Sequence, residues 1–267
     1  MKKIYVLLIP FIVLAACRKD HASAPSTNPG NYELVGYGNH YNGSVTDSVR
    51  FTYDANTHLL NSYTDRVYGG AETDTSTYQV VYENKEVIRI NIVSMTYASY
   101  YNYYYNADNL LDTIKSYIGD NTTPSQSWAF TYNAAGRISE EYIYGQPSLQ
   151  AHNRYTYDAS GNVTGEFDSA FTRGVTVDTL WYSNYDNKVN PITAMPGFPK
   201  SVAPLPAFGV QFFSSPNNYG TVAQTVVIAP GQSQTNTTNF TYQYNIAGLP
   251  TAIINALDTV RLTYRQY

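Results

Sequence analysis

"FTYNAAGRISEEYIY", residues 130–144, returns in altered form along most of the chain. Its variants are FTYDANTHLLNSY (51–63), YYYNADNLLDTIKSY (103–117), YTYDASGNVTGEF (155–167) and FTYQYNIAGLPTAII (240–254). Aligned on the tyrosine before the turn, Tyr53, Tyr105, Tyr132 and Tyr157 each precede Asp or Asn and then Ala. Tyr244 heads a fifth copy, Tyr244-Asn245-Ile246-Ala247-Gly248, with Ile in the Ala place. A branched apolar residue follows at Leu59, Leu111, Ile138 and Val163, with Pro250 as a departure. Tyr105, Tyr132 and Tyr157 stand 27 and 25 residues apart, and such a period marks one supersecondary unit per copy.

The unit reads as a β-hairpin. Phe130 and Tyr132 flank Thr131, Phe51 and Tyr53 flank Thr52, and Tyr155 and Tyr157 flank Thr156. That alternation is the period of two that defines a strand. An Asp or Asn at the turn accepts from backbone N–H groups just ahead of it. Gly or Asn near the end of the turn supplies the left-handed conformation that a type I turn with a bulge requires. Thr57 breaks the rule, so the first turn is expected to be longer, and 82–87 reads as a degenerate copy with a tighter turn. Strands resume at 221–228 and 239–243, and Val260, Leu262 and Tyr264 share one face of a closing strand. The expected fold is all-β: an antiparallel meander of hairpin repeats, curled or closed into a barrel-like sheet, forming one domain over 32–267.

Residues 1–17 read MKKIYVLLIPFIVLAAC. Two lysines precede an apolar run too short to span a bilayer, the pattern of a removed signal peptide. Leu14-Ala15-Ala16-Cys17 resembles the lipobox of bacterial lipoproteins, and Cys17 is the only cysteine in the chain. The resemblance implies cleavage after residue 16 and acylation of Cys17. Acyl chains anchor a protein without spanning the membrane. Residues 17–31 are polar and rich in Pro, Ser, Asn and Gly, a composition for a flexible tether. No acidic residue directly follows Cys17, which fits an outer-membrane lipoprotein facing the periplasm or the cell surface.

Loss of Lys2 and Lys3 from the 16 Lys+Arg leaves 14 against 20 Asp+Glu, a formal charge of −6. That balance argues against nucleic acid as a partner. With 28 Tyr and only 13% charged residues, the chain suits a pleated, half-buried surface better than helices. NPITAMPGFPKSVAPLPAFG (190–209) holds five prolines and is excluded from interior strand. It is expected to be a surface excursion, a cap or a plug.

The phrase [FY]-T-Y-[DN]-A-x-G-x-[IV] resembles the YD repeats of the Rhs family of β-shells. YDNKVNPI (185–192), SSPNNYG (214–220) and the terminal copy are similar to Gram-negative envelope lipoproteins of unknown function. Those are described as porin-like, all-antiparallel β proteins, so the resemblance implies a shape and no activity. A membrane-spanning barrel is the less fitting variant, because the alternate strand faces are Tyr/Thr or charged.

Few residues point to chemistry. The four histidines, His21, His40, His58 and His152, lack any ligand spacing and read as solvated loop residues. Glu140 and Glu141 fall on opposite strand faces. No nucleophile elbow or phosphate loop occurs, so the chain is read as non-enzymatic and without a cofactor. Asp186, Asn187 and Asn190 offer oxygens to a cation, but they lack the acidic density of a strong site, and capping of a turn before Pro191 is the favoured reading. Tyr101, Tyr103 and Tyr105 share one face of SYYNYYYN (99–106) and Tyr100 and Tyr104 the other. One face must be core, and cross-strand packing is favoured over a wet aromatic ladder for a glycan or a peptide. The expected function is a lipid-anchored envelope scaffold or binding module for a glycan or protein ligand. The alternatives are a carrier that encloses an apolar molecule and a hydrolase with carboxylates gathered from separate strands.

Overall fold

The computed structural model describes residues 31–41, 43–69, 72–94, 98–119, 121–145, 148–171, 176–194, 215–229 and 231–267. Cys17, the signal segment and residues 17–30 of the tether lie outside them, as does most of the Pro-rich stretch. Seventeen strands and one helical turn occur among the described residues. The first six are β1 (Tyr32–Tyr41), β2 (Ser44–Tyr53), β3 (Leu60–Gly69), β4 (Glu72–Glu83), β5 (Glu86–Ser94) and β6 (Ala98–Tyr105). Six more are β7 (Leu111–Ile118), β8 (Gln126–Tyr132), β9 (Ile138–Gly145), β10 (Ser148–Tyr157), β11 (Val163–Ala170) and β12 (Thr176–Ser183). After the helical turn α1 (Pro191–Ala194) come β13 (Thr221–Ala229), β14 (Gln232–Asn239), β15 (Thr241–Tyr244), β16 (Pro250–Ile254) and β17 (Asp258–Gln266).

Each strand pairs antiparallel with its sequence neighbour from β1 through β14, and again from β15 through β17. β17 returns to β1 with Tyr32 opposite Gln266 and Tyr41 opposite Asp258, so the sheet curls into a barrel. One seam remains. β14 pairs with β13 and β15 pairs with β16, the two being joined through Phe240, whose N–H donates to the Gly220 carbonyl at 2.8 Å. The expected curled or closed meander is therefore a nearly closed barrel, with β17 as the closing strand.

The repeats build one end of this barrel, here the turn end. Asn133 Oδ1 accepts from the N–H groups of Ala135 and Arg137, while Gly136 takes φ 71° and donates to the Asn133 carbonyl. Asn106 and Asn245 do the same for their turns, with Asn109 and Gly248 left-handed. At 54–59 the left-handed residue is His58, so the turn is one residue longer and Leu60, not Leu59, becomes the buried closing residue. The tighter turn at Asn84-Lys85 uses two left-handed residues, the type I′ hairpin.

Except for Tyr244, whose hydroxyl goes to Asp186, the tyrosine before most of these turns has a specific task. Its hydroxyl donates to the carbonyl of the residue that closes the preceding turn. Tyr82 reaches Leu60 at 2.8 Å, Tyr105 reaches Val87 at 2.9 Å, Tyr132 reaches Leu111 at 2.6 Å and Tyr157 reaches Ile138 at 2.6 Å. Tyr185 bonds Val163 in the same way, which makes Tyr185-Asp186 a further copy of the motif. Tyr53 and Tyr264 extend the pattern to Leu34 and Pro250, both at 2.8 Å. A register shift accompanies Tyr53, Tyr82, Tyr105, Tyr132 and Tyr157: Thr131 faces Glu140 and Tyr132 faces Ile138, so the strand after each turn carries one extra residue there. The carbonyls it meets belong to buried residues, among them Leu60, Leu111 and Val163.

Inward positions hold the core: Leu34, Phe51, Tyr63, Ile90, Tyr103, Ile114, Phe130 and Tyr155 are buried. Outward positions alternate as Arg50 and Thr52, Arg154 and Thr156, and Arg261 and Thr263, all exposed. A lipid-facing barrel needs an apolar outer band, and here the apolar face is the inner one. Residues 184–194 and 215–220 fold into the turn end. Val189 bridges Asn217, Asn190 Nδ2 donates to the Ser215 carbonyl at 3.0 Å, and Asn217 N–H donates to Asn162 Oδ1 at 3.1 Å. Of the Pro-rich stretch, Asn190–Ala194 belongs to this inward plug, with Ile192 in the core. The rest lies outside the described residues.

Candidate functional site

The structure separates the residues that the sequence nominates. Tyr101, Tyr103 and Tyr105 do share a face, but it is the inner one. Tyr103 is buried, Tyr101 meets Trp128 edge-on at 6.0 Å, and the Tyr105 hydroxyl is taken by Val87. The outward ring pair is Tyr100 and Tyr117, stacked at 4.8 Å with Arg89 over Tyr100. These three tyrosines are core walls, and not a solvent-facing ladder. Asp186 caps its own turn by accepting from Lys188 N–H at 2.9 Å, and it also takes the Asn218 N–H and the Tyr244 hydroxyl. Asn190 caps Ile192 through a 3.0 Å bond, and Asn187 is exposed. The three do not converge as a ligand set. Among the described residues no group of three or more His, Cys, Asp or Glu is placed to hold a metal.

Two histidines depart from the expected solvated state. His58 Nδ1 lies 2.9 Å from the buried Glu33, which Arg265 Nε also reaches at 3.0 Å, and its ring stacks on Tyr267 at 3.8 Å. His152 stacks on Tyr142 at 4.4 Å on the outer face.

Above the plug, toward the opposite end, lies a cavity of about 350 Å³. Tyr37, Tyr219, Tyr242 and Phe240 give it aromatic walls, and Leu34, Ile192 and Leu262 add aliphatic surface. Asp47 and Asp65 supply its carboxylates, with Asn39 Nδ2 donating to Asp47 Oδ1 at 2.6 Å. Burial, and then the nearby Asp47 charge, push the Asp65 carboxyl above the usual range. Asp74 adds a further like charge beside Asp65.

A second group of carboxylates stands on the far inner wall. Glu141 comes from β9, Glu166 and Asp168 from β11, and Asp178 from β12, with Asp168 directly opposite Asp178 in the ladder. Like charges placed so oppose folding unless protons or cations intervene. Tyr155 and Asn153 donate to Glu141 Oε2 at 2.9 and 3.0 Å, and Tyr182 donates to Glu166 Oε2 at 2.8 Å. Burial, then Glu166 and Glu141, push Asp168 up to about 7. Its Oδ1 is buried without a hydrogen-bond partner among the described residues. Burial likewise raises Glu141 and Glu166.

No inward base offsets these acids among the described strand residues. Arg50, Arg66, Arg89, Lys115, Arg154 and Arg261 each follow or precede an inward neighbour and so point outward. The interior is thus apolar and phenolic toward the turn end and acidic above it. Sequence reasoning missed the acidic wall because its members come from three strands. Only Glu141 stood out, and only as the partner of Glu140.

No protein-family model matches the chain, and no curated protein matches it. Among solved structures, a porin-like protein from Bacteroides uniformis is similar over 90% of this chain and 99% of that chain, at 15% identity and a TM-score of 0.55. A porin-like protein from Bacteroides vulgatus covers 87% of this chain and 98% of its own, at 12% identity and a TM-score of 0.42. The first of these likenesses shows the fold alone: this chain is an all-β antiparallel meander of the porin-like kind.

Proposed function

We propose that the protein is a lipid-anchored binding module of the bacterial envelope that takes an amine-bearing ligand inside its barrel. One observation carries the ligand reading. The cavity joins aromatic walls to Asp47 and Asp65, and no described strand residue offers these acids a base. An ammonium group is attracted both to the carboxylates and to the faces of Tyr and Phe rings. The lipobox-like Leu14–Cys17 and the polar stretch after it support the anchored reading.

Calorimetric titration with choline, spermidine and glucosamine, set against glucose, tests the ligand class. Binding of amines but not glucose is expected, with affinity falling about tenfold in Asp65→Asn for a lost interaction of about 1.4 kcal/mol. Equal binding of glucose and glucosamine would replace the amine with a neutral glycan. Mass measurement of the N-terminal peptide tests the anchor, and an unmodified Cys17 refutes it.

A second reading, a carboxylate-based hydrolase, has one observation in its favour. Asp168 at about 7 beside Glu141, Glu166 and Asp178 provides a protonated acid next to ionisable partners. Turnover of a panel of aryl glycosides, abolished by Asp168→Asn, would establish it. No turnover leaves the binding reading.

A further inference from the structure

We infer that the end of the barrel opposite the turns is a membrane-contacting rim that rests on the lipid surface, an inference that builds on the anchored reading above. Among the described residues sixteen large apolar side chains are exposed, and twelve of them lie within three residues of a chain reversal at this end. They include Tyr41, Tyr68, Val93, Leu149, Phe171 and Leu257, with Val93 55% and Leu257 61% exposed. The twelve come from reversals all around the barrel, one or two per hairpin. The other four, Val81, Tyr104, Trp181 and Ile246, lie at the turn end, so the opposite end carries three times as many.

The arrangement selects the partner. A globular protein touches a contiguous patch, whereas single apolar tips spread around a perimeter are met together only by a planar, deformable surface. Tyr, Phe, Leu and Val at such a boundary match the side chains that settle at a membrane–water interface. The tether permits this orientation. Both ends of the described chain lie at the turn end, where Tyr267 N–H donates to the Asn31 carbonyl. The fifteen residues from Cys17 to Asn31 reach at most about 50 Å, whereas a ten-residue strand such as β1 spans about 33 Å. An anchor leaving the turn end can therefore run the height of the barrel and enter the membrane under the rim.

The test uses the full chain in phosphatidylcholine vesicles that carry a lipid-borne quencher. A polarity-sensitive fluorophore is placed on Leu257→Cys at the rim or on Ala134→Cys at the turn end. The rim label is expected to lose most of its emission and the turn-end label to keep it. An unquenched, water-exposed rim label, or a quenched turn-end label alone, overturns the inference, as does a rim label that becomes buried only when two copies associate. The mass of the N-terminal peptide separates the two readings. Lipidated chain with an unquenched rim label removes the rim contact and keeps the anchor, whereas unmodified Cys17 with a quenched rim label does the reverse. Val93→Ser combined with Leu149→Ser is expected to weaken the rim signal several-fold while circular dichroism stays unchanged.

Discussion

Replacing Tyr132 by Phe removes one oxygen atom and nothing else. That atom donates to the Leu111 carbonyl at 2.6 Å, and Leu111 is fully buried. A net hydrogen bond contributes roughly 0.5–1.5 kcal/mol, and leaving a buried acceptor short of its donor raises the cost to about 1–3 kcal/mol. The expected loss is therefore about 2 kcal/mol, a urea midpoint lower by about 1 M at a slope near 2 kcal/mol per molar. Tyr100→Phe is the control, because Tyr100 lies on the outer face stacked on Tyr117 and makes no such clasp. It is expected to stay within about 0.5 kcal/mol of the parent. Tyr53→Phe removes a separate clasp to Leu34, so the double variant should be additive within about 0.5 kcal/mol. If Tyr132→Phe moves the midpoint no more than Tyr100→Phe does, the hydroxyl is incidental. The repeat would then be explained by ring packing alone.

Other outcomes follow from the same geometry. Gly136 sits at φ 71°, so Gly136→Ala is expected to cost about 1 kcal/mol or more in chemical denaturation, with Gly136→Asn recovering much of it, as Asn109 does in its own turn. Asp168 is raised to about 7, so the stability it contributes is present below about pH 4 and is lost as pH rises through 7. Melting temperatures should fall from pH 5 to pH 8, and Asp168→Asn should narrow that fall. Arg265→Ala leaves the buried Glu33 with His58 Nδ1 as its remaining side-chain partner and is expected to cost up to about 3 kcal/mol by thermal unfolding, with partial recovery in Arg265→Lys.

How much of the fold was legible can be judged strand by strand. The hairpins around Tyr53, Tyr105, Tyr132 and Tyr157 were readable because alternation and Asx turns involve residues only a few positions apart. β14 was not. Gln232–Asn239 is exposed along its whole length, so no apolar alternation announces it, and only pairing with β13 makes it a strand. The plug was half legible. Prolines excluded a strand, but that Ile192 enters the core depends on Asn190 and Ser215 meeting from two segments.

The candidate site was almost wholly hidden. Glu140 and Glu141 were rightly placed on opposite faces, yet which of them faces inward depends on the bulge after Thr131, between β8 and β9. That Glu141 joins Glu166, Asp168 and Asp178 depends on the register of β9 through β12.

By itself the sequence determined a train of antiparallel hairpins and their turn chemistry. Each of those properties is set by neighbours along the chain. Tertiary structure alone decided that the train curls back on β1, that the tyrosine hydroxyls reach one hairpin behind them, and that the acids gather inside while the bases stay outside. Such features rest on contacts between residues far apart in sequence, where a shift of one position in any register exchanges the two faces of a strand.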